Sequence, residues 1–492
     1  MKGLESLWRP IAWVSLIGVT GKGMSALCGI MLAYRFGAGQ DTDAYLLAKS
    51  VPIAAYLILD SVIYNTFVPL LRRPEKTDAL FRTLLILFFF GAAALAALVH
   101  MGAAQVVALL ARGADGTTQI EAVQLQRITA WAIVYAVPAS CLKAWNACQG
   151  RYVAASLDGF VMSAVLLLML MTAPSRMGIT PIAIALPVAF VILLIIQSGL
   201  AGEVLRLRPR APVKTLPGRY LARLMGPLLL LNVTQQAQVL LVIAIAAFYG
   251  NGAVSQVNYS YAIAQLPVGI VDLILFSTLF PYAAHLAAGR RMEELLSTYR
   301  SAAMALLLLA LPTAGWVVSM RVELVNTLLT RGSFDVADGR TTAALLLGHG
   351  VAIPMWLLEA LGCRVLFAVG QHRRYLGAVA IRLLAFAALA PLSVTLFDLP
   401  GISMAFAGSC LVGASATAWL VGRALPAASV RPKRVFDMVL LLTVTVAGFA
   451  ISLLARWGMG DLDPVYQLGG SAILVAAVVM SGIRVFMTRK TL

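Results

Sequence analysis

Apolar runs of roughly twenty residues follow one another along the chain, each closed by a short polar connection, and a run of that length is what one helix needs to cross a bilayer. Fourteen such runs predict fourteen helical spans, near residues 11–34, 43–70, 83–104, 127–148, 153–173, 180–203, 224–249, 256–284, 301–326, 341–369, 376–396, 402–423, 436–457 and 468–487. The connections alternate in charge. The even-numbered ones carry Arg72, Arg73, Lys76 and Arg82, then Arg151, then Arg206 to Arg223, then Arg290, Arg291 and Arg300, then Arg373 and Arg374, then Arg423 to Arg434. The odd-numbered ones are poor in Lys and Arg and hold Asp41, Asp115, Asp335, Asp338, Asp398, Asp461 and Asp463. Basic connections face the cytosol, so both termini are expected there, and "MKGLESLWRP" reads as a retained cytosolic end without a cleavage site.

The polar positions also repeat. The longest basic connection, Leu205–Arg223, separates two groups of six spans, and a last pair follows. Span 2, "AKSVPIAAYLILDSVIYNTFVP", and span 8, "AIAQLPVGIVDLILFSTLFP", share an early proline, a central acid and a closing Phe and Pro. Spans 4 and 10 carry Pro138 and Pro354 and end in "CQGRY" and "VGQHRRY". Six spans per unit give both units the same orientation, and such parallel repeats place a substrate site at their interface. The expected fold is an all-α polytopic membrane protein: an N-lobe over 1–204, a basic linker over 205–223, a C-lobe over 224–424 and a C-terminal helix pair over 425–492.

Composition agrees with lipid as the main solvent. Of the 492 residues 61% are hydrophobic and 12% charged, against about 25% charged in soluble domains. A net charge of +17 raises nucleic acid as a partner, but the basic residues are dispersed in loops and serve orientation instead. Cys28, Cys141, Cys148, Cys363 and Cys410 fall singly in apolar segments, and His100, His285, His349 and His372 are scattered without metal-ligand spacing. No metal or other cofactor is expected. "GVTGKGMS", Gly18–Ser25, lacks the Ser or Thr after Lys22 and follows no strand, so it is not a phosphate loop.

The candidate chemistry lies in the ionisable residues within spans. Lys22, Lys49, Asp60, Asp272 and Glu359 each cost about 2.5–3.5 kcal/mol near a span centre unless paired or hydrated. Tyr45, Lys49, Tyr56, Asp60 and Tyr64 share one face of span 2, and Asn258, Tyr261, Gln265 and Asp272 one face of span 8. Span 7 adds Asn232, Gln235 and Gln236. Two matching polar stripes suit a hydrated cavity, while the alternative is interhelical polar glue. Pro52, Pro138, Pro267 and Pro354 would kink their spans and are candidate hinges. Asp41 suits the N-cap of span 2, where an acid favours the helix dipole.

"RFGAGQDTDAYLLAKSVP…FVPLL" resembles the signature of the MurJ/MviN lipid II flippases of the MOP exporter superfamily. "ITAWAIVYAVPASCLKAWNACQGRYV", "YAIAQLPVGIVDLILFSTLFP" and "LLTRGSFDVADGRTTAALLLGHGV" extend the resemblance over about residues 10–400. It implies fourteen spans in two lobes around a cationic cavity, and inner-to-outer-leaflet transfer of a lipid-linked sugar precursor by alternating access. Lys22 matches a family arginine on span 1 and Asp43 the aspartate of the signature. Other family arginines fall at Cys28, near Tyr56 or Leu57, and at Ala262. A lysine keeps the charge but not the bidentate fork for phosphate.

The expected activity is therefore that of a flippase, not an enzyme. Its cargo would be a polyprenyl-diphosphate-linked saccharide, lipid II or an exopolysaccharide or O-antigen-type precursor, in a bacterial inner membrane. Lys22, Asp43, Lys49, Tyr56, Gln235, Gln236, Tyr261 and Gln265 are the expected substrate contacts. Asp60, Asp272 and Glu359 would pair with those cations or hold a coupling ion, sodium or a proton, with the membrane potential a further energy source. Membrane lipids and the glycan polymerase machinery of the envelope are the other expected partners. An ion-coupled drug exporter on the same fold would need the acids and not the lysines, and a non-transporting envelope-synthesis scaffold would need neither.

Overall fold

A computed structural model describes residues 2–71, 77–202, 218–425, 434–458 and 464–490. Most of the basic linker, together with Arg72, Arg73, Lys76, Arg431, Lys433, Asp461 and Asp463, lies outside them. The described residues are helical throughout, without a strand. Among the described residues eleven helices are long and apolar enough to cross a membrane, and Asp158–Thr172 and Leu440–Leu454 are shorter apolar helices. With the interrupted helix over 253–288, these occupy every predicted span.

The helices pack into two units, Met1–Ser255 and Gln256–Leu492. Span 7 packs within the first unit. The first unit holds α1 (Lys2–Phe36), α2 (Gln40–Leu71), α3 (Thr77–Met101), α4 (Ala103–Leu110), α5 (Gly116–Ala130), α6 (Ala132–Cys148), α7 (Asp158–Thr172), α8 (Thr180–Leu200), α9 (Gly218–Ala246) and the first turn of α10 (Ala253–Ile274). Here α2 packs against α5, α6 and α9, and α6 against α3 and α8, while α7 packs against α1 and α8. Buried Ile63, Phe67, Phe81, Ile133, Leu142 and Trp145 close one core, and Phe190 and Leu193 close another beneath Tyr56. Phe90, Leu98 and Met101 point outward, as lipid-facing positions do.

The second unit holds the rest of α10, a π-helical turn over Leu275–Leu279, α11 (Phe280–Ala288), α12 (Met292–Ser319), α13 (Arg321–Leu328), α14 (Val336–Ala368), α15 (His372–Phe397), α16 (Gly401–Ala424), α17 (Arg434–Gly458) and α18 (Pro464–Lys490). Here α16 packs on α14 and α15, and α12 packs on α14, α17 and α18. Small residues let the spans close up: a Cβ on Gly348 would lie 2.4 Å from the carbonyl carbon of Ser403, and one on Gly362 2.4 Å from Thr417.

The sequence repeat has a structural counterpart at the ends of spans 4 and 10. Gly150 (φ 77°) and Gly370 (φ 73°) each adopt the left-handed conformation that ends a helix. The amide of Arg151 returns to the Asn146 carbonyl at 2.9 Å, and that of Gln371 to Leu366 at 2.8 Å. The π turn before Pro281 breaks this symmetry, since α2 runs unbroken through Pro69. Proline removes one backbone donor, and a π turn is one way a helix absorbs that loss.

Candidate functional site

The polar face of α2 meets α6 and α7 in a buried charge cluster. Lys143 Nζ lies 2.8 Å from both oxygens of Asp60 and 2.5 Å from Asp158 Oδ2. Ser140 donates to Asp60 Oδ1 at 2.7 Å, Tyr56 donates to Asp158 Oδ2 at 3.1 Å, and the Tyr64 ring lies 5.6 Å from the ammonium. The side chains of Lys143, Asp60 and Asp158 are 11%, 19% and 20% exposed, so one ammonium is shared by two carboxylates with little water around them.

Lys49 is different. It sits two turns before Tyr56, half-buried, with its ammonium 4.7 Å from the Tyr45 ring centre. No carboxylate pairs with it among the described residues. A desolvated ammonium over an aromatic face is stabilised only in part by the ring and retains the capacity to meet an anion. Lys22 is exposed on α1. Its neighbour Gly21 takes the buried position against α7, where a Cβ would meet the Phe160 backbone nitrogen at 3.0 Å.

Asp43 occupies a structural position. It is 2% exposed, and its two oxygens accept the backbone N–H groups of Gly252 and Ser255, each at 2.7 Å. A carboxylate so placed satisfies free donors at the start of α10. Asn251 donates to Asp115 at 2.7 Å beside it. Gln235 and Gln236 are half-buried on α9.

In the second unit the acids also have cations of their own. Arg364 Nη2 lies 2.8 and 2.9 Å from the oxygens of Asp272, and Arg382 Nη1 lies 2.9 Å from Glu359 Oε2. Asp60, Asp272 and Glu359 are thus paired with Lys143, Arg364 and Arg382 rather than with Lys22 or Lys49. Asp60 and Asp272 each precede a proline, Pro69 or Pro281, by nine residues, and each meets a cation from span 4 or span 10, so the pairing itself repeats. Tyr261 lies in an aromatic group with His349, Trp356 and Phe406, at ring separations of 5.7, 5.2 and 5.8 Å. Gln265 is half-buried on the same helix. Pro52, Pro138 and Pro354 are buried within continuous helices, and Pro267 lies two turns before the π turn. Sequence reasoning missed Lys143, Asp158, Arg364 and Arg382, although each is a charge inside or beside an apolar run.

A family model described as "Lipid II flippase MurJ" matches residues 32–466. The chain belongs to the MurJ family. A Synechocystis sp. protein named "Probable lipid II flippase MurJ" is 23% identical over 94% of this chain and 91% of its own length. The "Lipid II flippase MurJ" of Burkholderia cenocepacia is 26% identical over 71% of this chain and 70% of its own. Among solved structures, a MurJ in an inward closed conformation superposes with a TM-score of 0.82 at 14% identity, covering 97% of this chain and 99% of that one. An inward-facing MATE transporter of the MOP superfamily gives 0.65 at 14% identity, over 83% and 98%. These establish a multi-pass membrane protein of the MurJ family with the fold that MurJ and MATE transporters share.

Proposed function

We propose that this protein is a flippase that carries a polyprenyl-diphosphate-linked saccharide from the inner to the outer leaflet of a bacterial inner membrane by alternating access, with both termini cytosolic. The observation that carries the reading is the match of a flippase family across residues 32–466, which extends through both packed units. The chemistry of the first unit supports it: Lys49 is an intramembrane cation with no carboxylate partner among the described residues, the property a diphosphate ligand needs. Lys22 supplies a second, exposed cation. Gln235, Gln236 and Gln265 are the candidates to line the sugar path. Pro52, Pro138, Pro267 and Pro354 are the candidate bending points, and movement is driven by an ion or by the membrane potential. The outer-leaflet product then feeds glycan polymerisation.

Lipid II is the first cargo to test, because it is the substrate named for the family. Depleting the protein in its native host and identifying the lipid-linked saccharide that accumulates on the inner leaflet decides the class. Accumulated lipid II places the protein in peptidoglycan synthesis. A different lipid-linked glycan would mean that Cys28, Tyr56 or Leu57, and Ala262, where the family resemblance places arginines, accompany another cargo. Accumulation of neither would overturn the flippase reading in favour of drug export.

A further inference from the structure

Among the described residues, the intramembrane acids of the second unit are each paired with one cation, Asp272 with Arg364 and Glu359 with Arg382. Those of the first unit are not. Two carboxylates, Asp60 and Asp158, share the single ammonium of Lys143, which leaves one formal negative charge on a cluster whose side chains are no more than 20% exposed. An uncompensated charge at membrane depth is strongly disfavoured, so the cluster has use for one more positive charge.

We propose that the Asp60–Lys143–Asp158 cluster is a proton site, with one exchangeable proton carried by Asp158. The donors already in place decide which oxygen takes it. Both oxygens of Asp60 are bonded to Lys143, and Oδ1 also receives Ser140. Asp158 receives Lys143 and Tyr56 on the same oxygen, Oδ2, and Oδ1 has no donor among the hydrogen bonds of the described residues. Asp158 Oδ1 is therefore the acceptor left for a proton. A sodium ion fits less well, because the ammonium already occupies the point where both carboxylates converge and a metal ion would need several oxygens there.

The surrounding helices add few other charges. Lys49, Tyr56 and Tyr64 come from the same face of α2, Cys141 and Cys148 from α6, and Arg219 and Arg223 from the start of α9, which packs on α2. The packed helix α3 contributes Arg82, α5 contributes Glu121 and Arg127, and α1 contributes Lys22 beside the Gly21 crossing. Helix α8 carries no charged residue.

The site sits where a proton would have a mechanical effect. Asp158 opens α7, and α1 rides on α7 through Gly21, Cys28 and Arg35: the Cys28 thiol donates to the Ser163 carbonyl at 3.2 Å and Arg35 Nη1 to the Leu170 carbonyl at 2.7 Å. With Asp158 ionised, Lys143 ties α7 to α6 and α2. With Asp158 protonated, its hold on the ammonium weakens, since a neutral carboxyl accepts less strongly than a carboxylate, and Lys143 stays with Asp60. Proton uptake thus loosens the α1–α7 pair from the α2–α6 pair. The proposal deepens the ion-coupling part of the flippase reading and rests on it for the site's use in transport, not for its existence.

The test uses the full-length protein in lipid nanodiscs without any glycan lipid, with infrared difference spectra recorded between acidic and alkaline buffers. The expected result is a protonated-carboxyl C=O band that is lost as pH rises, is absent from Asp158→Asn and persists in Asp272→Asn. Asp158→Glu keeps the carboxyl and shifts the band, and it carries the test if Asp158→Asn does not fold. A band that survives unchanged in Asp158→Asn or Asp158→Glu overturns the assignment. So does a band that sodium chloride, but not potassium chloride, abolishes at constant pH, which would make the cluster a sodium site. A protein that shows the band and flips no lipid-linked saccharide would retain the proton site while losing the flippase reading.

Discussion

The Glu359–Arg382 pair gives the sharpest division between a structural charge and a transporting one. Glu359 is 2% exposed and Arg382 13%, with Nη1 2.9 Å from Oε2. Tyr375 lies 3.5 Å from the other carboxylate oxygen, and a Cβ on Gly413 would lie 2.9 Å from Oε2 and 2.8 Å from Arg382 Cδ. The pair is therefore enclosed by α14, α15 and α16. Removing one partner from a buried pair leaves the other uncompensated and costs about 3–5 kcal/mol, whereas replacing both with apolar groups of similar size is near neutral or stabilising. Glu359→Met and Arg382→Met should each lower unfolding stability by roughly that amount, and the double variant should recover most of the loss, for a coupling energy of about 3 kcal/mol or more. Equilibrium unfolding in detergent micelles, run as a double-mutant cycle, measures this. The double variant should also transport, because Glu359 acts as a brace in this account. Single effects that add to within about 0.5 kcal/mol, or a stable double variant without transport, would rule out the bracing role of the pair.

Three further outcomes follow from the geometry. Lys49→Met should abolish flipping while changing stability by less than about 1 kcal/mol, because among the described residues the ammonium is met by the Tyr45 ring and by no carboxylate; unfolding and flipping measured on the same sample check it. Asp43→Asn should cost about 1–2 kcal/mol, read as a lower midpoint of unfolding, because an amide oxygen can replace only one of the two charge-assisted bonds to Gly252 and Ser255. Gly348→Ala should lower stability by about 1–3 kcal/mol in the same assay, because its Cβ would lie 2.4 Å from backbone that cannot rotate away.

The helices were legible because membrane crossing demands long apolar runs, and the repeat was legible because Pro52, Asp60 and Pro69 have matching residues in span 8. The partners of the charges were not. Lys143 and Arg364 lie near the ends of spans 4 and 10, where a cation is ordinary, and only packing shows that they reach Asp60 and Asp272. Asp158 falls within span 5, and only packing shows that it shares Lys143 with Asp60. Asp43, expected at the substrate, is engaged with the amides of Gly252 and Ser255, more than two hundred residues away in sequence, a contact that no periodicity encodes. Helix α9 packs against α2 in the first unit, and chain order alone does not specify such packing.

The most direct test of the central claim is translocation itself, with purified protein in proteoliposomes and a fluorescent lipid II whose inner- and outer-leaflet pools are told apart by a membrane-impermeant quencher. The expected result is protein-dependent transfer that is abolished in Lys49→Met and retained in the Glu359→Met/Arg382→Met double variant. Transfer that proceeds equally well without Lys49 would contradict it.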